Sequence, residues 1–144
     1  MYYKPVHFEV PELVPPDIYK SMGEGALILM DDRILYIADF VREHFDAPVT
    51  INNWLHGGQF SQRGFRTTTG LPGEVVHSEH AYGRAIDFDV EGLTADEVRK
   101  EILENASAGE FPMISGMEVG ISWVHLDVGN RYSTGGIVTF ASPK

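Results

Sequence analysis

Two separate segments of the chain carry residue types that bind metal ions. The first contains His80 and Asp87, and the second, far downstream, contains His125. Two imidazoles and one carboxylate are a sufficient protein ligand set for a catalytic zinc ion that keeps one coordination position open for water. Hydrolysis is therefore the first reaction class that these residues predict.

The residues around Asp87 and His125 have the alternating pattern of strands. Apolar and polar residues alternate through residues 85–90, which is the period of a strand with one buried face. Asp87 and Asp89 therefore share the other face. Residues 123–128 alternate in the same way, so His125 also lies on a polar face.

These two strands predict how a metal site is assembled. If they pair in one sheet with their polar faces together, Asp87 and His125 approach one cation. His80 can then reach the same cation from the turn before the first strand, and Gly83 permits a close approach of the backbone there. His77 lies three residues before His80 and is an alternative ligand.

Both segments match the signatures of a known family. Residues 78–87 resemble the Ser-x-His-x-x-Gly-x-Ala-x-Asp signature of the zinc D-alanyl-D-alanine carboxypeptidase family. That family also includes D,D-dipeptidases, phage L-alanyl-D-glutamate endolysins and the hedgehog signalling domain. Residues 123–127 are similar to its second signature, and the resemblance covers roughly residues 49–130. The resemblance implies three zinc ligands, which are His80, Asp87 and His125.

A third segment extends the resemblance upstream. Residues 50–54 and 62–66 look like the family's strand and following loop, in which a Gly-aromatic-Arg sequence supplies an arginine to the substrate cleft. Arg66 occupies that place, and Arg63 is a near competitor. A guanidinium can bind a peptide carboxylate through two hydrogen bonds or polarise the scissile carbonyl. Arg66 is thus expected to bind substrate and to assist catalysis, and Ser78 is a further candidate for substrate binding.

The chain departs from the family at the general base. Several relatives carry Glu or Asp three residues before the last zinc-binding histidine, where this chain has Ser122. A hydroxyl cannot accept a proton near neutral pH as a carboxylate can. Asp127, Glu118 and Asp89 are the remaining candidates, with Asp127 and Glu118 favoured. Asp127 could equally orient His125 without acting as a base.

Composition and charge limit the classes of partner. The chain has 144 residues, 43% of them hydrophobic, so it is expected to form one domain that spans residues 1–144. It has no cysteine, which excludes a thiolate metal site. Its net charge of −10 argues against nucleic acid as the main partner. The sequence does not indicate the oligomeric state.

The sequence also predicts where the protein is made and acts. No apolar run approaches the length of a membrane span, and residues 1–5 do not resemble a signal peptide. We therefore expect cytoplasmic synthesis without a signal peptide. Action at the cell wall would then require release by another factor, such as a holin in a phage lysis programme.

The expected fold is an α+β domain with a small antiparallel sheet that carries the zinc site. A long amphipathic helix with one apolar stripe is predicted over residues 26–45, and a second helix begins with a capping box at Thr94. The other expected segments are an extended arm over residues 1–16, a first strand at 49–51, a long binding loop over 57–73 and a last strand at 137–141.

Together, the ligand set and the resemblance predict a zinc metallopeptidase that hydrolyses peptidoglycan stem peptides. It would act as a D,D-carboxypeptidase or as an L-alanyl-D-glutamate endopeptidase, and its features are more similar to phage or prophage members than to exported wall enzymes. The alternative is a zinc-stabilised structural or binding protein of a phage particle that does not catalyse a reaction.

Overall fold

The computed structural model describes residues 3–67, 78–111, 113–131 and 136–141. Three α-helices form within these segments: α1 (Pro16–Met22), α2 (Asp32–Phe45) and α3 (Ala95–Ser107). Five strands accompany them: β1 (Val49–Thr50), β2 (Ala85–Val90), β3 (Gly116–Val119), β4 (Val124–Asp127) and β5 (Val138–Ala141). The α+β class predicted from the sequence is confirmed.

The five strands form one mixed sheet in the order β1-β2-β4-β3-β5. The pairs β1/β2, β2/β4 and β3/β4 are antiparallel, whereas β5 runs parallel to β3. The prediction of a purely antiparallel sheet is therefore wrong at this edge. The chain does reverse direction between β4 and β5, but β3 lies between them, so β5 becomes parallel to its actual neighbour.

The long helix predicted over residues 26–45 is wrong in its first part. Residues 23–29 form a 3₁₀ helix, Met30 is extended, and α2 begins only at Asp32. The Asp31 side chain accepts a hydrogen bond from the Arg33 backbone N–H at 2.8 Å, which caps the new helix. The apolar repeat continues across this break because both segments contribute to the same core.

The N-terminal arm is only partly extended within the described residues. Residues 10–12 form a 3₁₀ turn, and α1 already begins at Pro16. The buried Asp39 carboxylate on α2 fixes the start of the arm, because it accepts hydrogen bonds from the Tyr3 hydroxyl and the Val6 and His7 backbone N–H groups at 2.7–2.9 Å.

The two faces of the sheet differ in chemistry. One face joins α2 and α3 in the hydrophobic core, and its central buried residues are Ile86, Phe88, Met117, Val124 and Leu126. On the opposite face, strand pairing places Asp87 beside His125 and His125 beside Glu118. The predicted alternation therefore puts the polar residues on a face away from the helices.

The second predicted helix is confirmed as α3. Thr94 and Glu97 form the expected capping box, with the Thr94 hydroxyl oxygen accepting from the Glu97 N–H at 3.1 Å. No helix in the described segments is long and apolar enough to cross a membrane.

Candidate metal centre

Asp87 and His125 lie directly opposite each other on β2 and β4, and His80 approaches them from the segment before β2. The Asp87 Oδ1 atom is 2.8 Å from His125 Nδ1 and 3.1 Å from His80 Nε2. All three side chains are buried, and one donor atom from each lies within 4.8 Å of the others. Donor atoms around a tetrahedral zinc ion are about 3.3 Å apart, so this group could hold a metal ion if the donors move closer together.

A short 3₁₀ helix, Glu79–Tyr82, positions His80. Ser78 caps its start, since the Ser78 Oγ accepts a hydrogen bond from the His80 N–H at 3.3 Å. Gly83 ends it with a φ of +69°, and a Cβ at this position would overlap the Leu29 carbonyl oxygen. The close backbone approach expected at Gly83 is present against Leu29. Ser78 makes a capping contact, and its expected role in substrate binding stays a prediction.

The His80 ring is oriented by a backbone carbonyl. His80 Nδ1 lies 2.9 Å from the Gly64 carbonyl oxygen. A carbonyl can only accept, so Nδ1 donates to Gly64, and Nε2 is the ring nitrogen that faces Asp87. Gly64 itself packs so tightly on Leu13 that a Cβ would overlap the Leu13 carbonyl. The Gly-aromatic-Arg segment thus supplies a ligand-orienting contact that sequence reasoning did not anticipate.

Asp127 holds the far side of the His125 ring. Its Oδ2 atom is 2.9 Å from His125 Nε2, whereas His125 Nδ1 faces Asp87. The Asp127 side chain is fully buried and also accepts hydrogen bonds from Arg131 and from the Gly129 N–H. This geometry favours the orienting role for Asp127 over the role of a general base.

The two carboxylates around His125 change the ionisation of the site. Burial alone lowers the pKa of His125, but hydrogen bonds to Asp127 and Asp87 outweigh it and raise the pKa to about 9. Burial raises the pKa of Asp87, but hydrogen bonds from His125 and His80 outweigh it and hold that pKa well below its usual range. Burial also raises the pKa of Asp127, but hydrogen bonds from His125 and Arg131 outweigh it and lower that pKa to about 2.

The two candidate arginines have different environments. Arg63 is buried, donates to the Asp89 carboxylate at 2.9 Å, and stacks on the Phe60 ring at 3.7 Å. Arg66 donates to the Gln62 carbonyl and reaches within 3.4 Å of Asp87 Oδ2, with a third of its side chain exposed. Arg66 therefore borders the donor cluster with part of its guanidinium accessible, whereas Arg63 and Asp89 are engaged with each other.

A cavity of about 300 Å³ opens beside the donor cluster. Its lining includes Phe60, Gln62, Arg66, Asp87 and Trp123. The described part of the predicted binding loop thus does border the site. Residues 68–73 of that loop lie outside the described residues, and so does His77, the alternative ligand.

Trp123 is held in the cavity wall by a buried arginine. Arg99, on α3, donates to the carbonyl oxygens of Trp123 at 2.8 Å and Ile121 at 3.0 Å. The turn between β3 and β4 is therefore fastened to the helix. Sequence reasoning did not identify Arg99, because its position on α3 shows no link to the β3–β4 turn.

The remaining carboxylate near the cluster is Glu118. It lies on β3 directly opposite His125 and is half-buried. Within the described residues, no hydrogen bond or ion pair engages its carboxylate. Ser122, three residues before His125, is exposed. Of the base candidates, Glu118 thus lies opposite His125 in the sheet and has a carboxylate without a hydrogen-bond partner among the described residues.

Comparisons of the chain with protein-family models, with curated proteins and with solved structures found no match. The interpretation of the site therefore rests on the residues of this chain and on their arrangement.

Proposed function

We propose that the protein is a zinc-dependent peptidase that hydrolyses peptidoglycan stem peptides. The observation that carries this proposal is the convergence of His80, Asp87 and His125, whose donor atoms lie within 4.8 Å of one another. The order and spacing of these residues are those of the family that the sequence resembles. Zinc is preferred over harder cations because two of the three donors are imidazole nitrogens.

The residues of the site have complementary tasks in this proposal. The Gly64 carbonyl and the Asp127 carboxylate orient the two histidines so that one nitrogen of each faces the cluster. When bound, zinc supplies a Lewis acid that activates water and polarises a carbonyl. Arg66 binds a carboxylate or the scissile carbonyl of the peptide.

The substrate class comes from the resemblance and is compatible with the cavity. About 300 Å³ is at the small end of ligand pockets, which suits one or two residues of a peptide rather than a folded protein. We propose either D,D-carboxypeptidase or L-alanyl-D-glutamate endopeptidase activity, in a protein of phage or prophage origin that acts at the cell wall after release.

The test is cleavage of purified peptidoglycan, with and without a zinc chelator. We expect new free amino groups to appear, to be lost with the chelator and to return with added zinc. His125→Ala should abolish both cleavage and zinc binding, whereas His56→Ala changes an exposed histidine away from the cluster and should leave both intact. Stoichiometric zinc binding with no cleavage of any stem peptide would contradict the peptidase.

That last outcome is the result expected for the second candidate, a zinc-stabilised structural or binding protein. The observation in its favour is the exposed Ser122 in the place of a carboxylate. For this candidate, zinc should raise the melting temperature without any hydrolysis, and Glu118→Gln should have no functional effect.

A further inference from the structure

Arg131 makes a paired contact with the carboxylate that orients His125. Its Nη2 atom donates to Asp127 Oδ2 at 3.0 Å, and its Nη1 atom donates to Asp127 Oδ1. Paired hydrogen bonds of this kind fix the plane of a carboxylate as well as its position. Since Asp127 Oδ2 also accepts from His125 Nε2, the plane of Asp127 determines the direction of the His125 ring.

The neighbouring strand leaves room for this guanidinium. Gly116 on β3 lies opposite Asp127, and a Cβ at Gly116 would be only 2.5 Å from the Arg131 Cζ and 2.7 Å from Asp127 Oδ1. Any side chain at Gly116 would therefore displace the paired contact. Because Gly116 has no side chain, Arg131 can reach Asp127.

Phe140 on β5 completes the enclosure. The Arg131 Cζ lies 4.9 Å from the centre of the Phe140 ring, within the range of a cation–π contact. The same ring meets His125 edge to face, with 5.8 Å between centroids. Residues from β3, β4 and β5 thus surround the contact between Arg131 and Asp127.

We propose that Arg131 is a positioning residue of the metal centre. It holds Asp127 so that His125 keeps its proton on Nε2 and directs Nδ1 at the metal. The proposal rests on the zinc site of the proposed function, but it assigns a role to a residue that lies outside both sequence signatures. Among the described residues, the hydrogen bonds of Arg131 go to Asp127 and Ser115 and not to the donor cluster.

The test is the zinc affinity of the intact chain, measured by competition with a chromophoric chelator. Arg131→Met should weaken zinc binding by about 10-fold or more, the usual effect of losing a group that orients a ligand. Arg131→Lys keeps the charge but not the paired geometry, so its zinc affinity should lie between those of the wild-type protein and Arg131→Met. Arg33→Met is the matched control, because Arg33 pairs with Asp31 and not with a residue of the donor cluster. This variant should bind zinc with wild-type affinity.

A second substitution tests the geometry while leaving Arg131 in place. Gly116→Ala should also weaken zinc binding, because the added methyl group displaces the guanidinium. In ¹H–¹⁵N spectra of the zinc-loaded wild-type protein, His125 should be protonated on Nε2, and this signal should become heterogeneous in Arg131→Lys and Gly116→Ala. A structural effect without a change in ring orientation would not produce that heterogeneity.

The possible results separate the two proposals. If the wild-type protein does not bind zinc, the zinc site fails and the role of Arg131 fails with it. If the wild type binds zinc and Arg131→Met, Arg131→Lys and Gly116→Ala bind it equally well, only the role of Arg131 is overturned. If Arg131→Met does not fold, as judged by circular dichroism, the other two variants decide the question.

Discussion

At the scale of single residues, His125 has two ring nitrogens that meet carboxylates with different tasks. Asp87 shares its Oδ1 atom between His125 and His80, so it belongs to the donor cluster. Asp127 contacts the opposite ring nitrogen and is enclosed by other donors. A histidine between two carboxylates is stable as an imidazolium, and a metal ion must replace the proton on the side of Asp87.

Zinc affinity should therefore depend on pH. Because the pKa of His125 is raised to about 9, the ring is protonated through the neutral range. Each zinc ion that binds then releases about one proton. The apparent zinc affinity should therefore increase about tenfold for each unit by which the pH is raised, until the pH reaches that pKa, and should be constant above it. Competition titrations at several pH values measure this slope. A slope near zero would show that His125 is neutral before zinc binds or does not bind it.

Replacing each of the two favoured base candidates, Glu118 and Asp127, should affect a different property of the protein. Glu118→Gln should lower the rate of hydrolysis by about 100-fold or more, the usual contribution of a general base, without weakening zinc binding. Asp127→Asn should instead weaken zinc binding, because an amide carries no charge and has one acceptor oxygen, whereas both carboxylate oxygens of Asp127 accept hydrogen bonds. Zinc titrations and turnover numbers on the same preparations distinguish the two effects.

Glu104→Gln is the control for Glu118, since it removes an exposed carboxylate on α3 that pairs only with Lys100 among the described residues. Full hydrolysis by the Glu118→Gln protein would remove Glu118 as the base.

At the scale of elements, the turn between β3 and β4 is held beside the candidate site by a side chain of α3. Arg99 donates to two carbonyl oxygens in the turn before β4, and its side chain is almost fully buried. The turn carries Trp123 into the cavity wall, but none of its side chains belongs to the donor cluster. Substrate binding and metal binding should therefore respond differently to a change at Arg99.

Arg99→Met should loosen the turn and leave zinc affinity intact. The lost hydrogen bonds from a charged donor should lower the free energy of unfolding by about 1.5–3 kcal/mol. Trp123 should become more accessible to acrylamide in a Trp54→Phe background, and KM should rise more than kcat falls. Urea denaturation, fluorescence quenching and steady-state kinetics check these three results. Unchanged quenching would show that Arg99 does not position Trp123.

Elements also differ in how well the sequence predicted them. Alternation predicted β2 and β4 and the face that carries Asp87 and His125, because burial of one face leaves a period of two in the sequence. The break before α2 was missed, since it depends on a capping hydrogen bond from Asp31 within an uninterrupted apolar repeat. The parallel pairing of β5 was missed because strand order depends on contacts between distant segments.

At the scale of the whole molecule, the site also combines residues that local sequence patterns predict with residues whose roles depend on tertiary contacts. The three donors could be predicted because each lies in a local pattern with a recognisable spacing. Arg131 and Gly116 could not, because their roles arise only when β3, β4 and the segment after β4 come together. Local patterns thus predicted the groups that would bind a metal, whereas tertiary packing determines how those groups are oriented.

The cluster should also make the stability of the whole domain depend on pH when zinc is chelated. The pKa of Asp127 is lowered from 3.8 to about 2, so its contribution is present above pH 3.8 and is lost as the pH falls through about 2. The pKa of His125 is raised from 6.5 to about 9, so its contribution is present below pH 6.5 and is lost as the pH rises through about 9. Both contributions to stability are fully present only between pH 3.8 and pH 6.5.

We therefore expect the free energy of unfolding, measured with urea in the presence of a chelator, to be highest near pH 5 and to fall on either side. The alkaline decrease should be absent from His125→Ala, which cannot gain or lose that proton, and should persist in the His56→Ala control. With excess zinc the wild-type protein should not lose this stability at alkaline pH, because the metal takes the place of the proton between His125 and Asp87 and stabilises the folded state by mass action. An alkaline decrease of equal size with and without zinc would mean that the metal does not bind at this histidine.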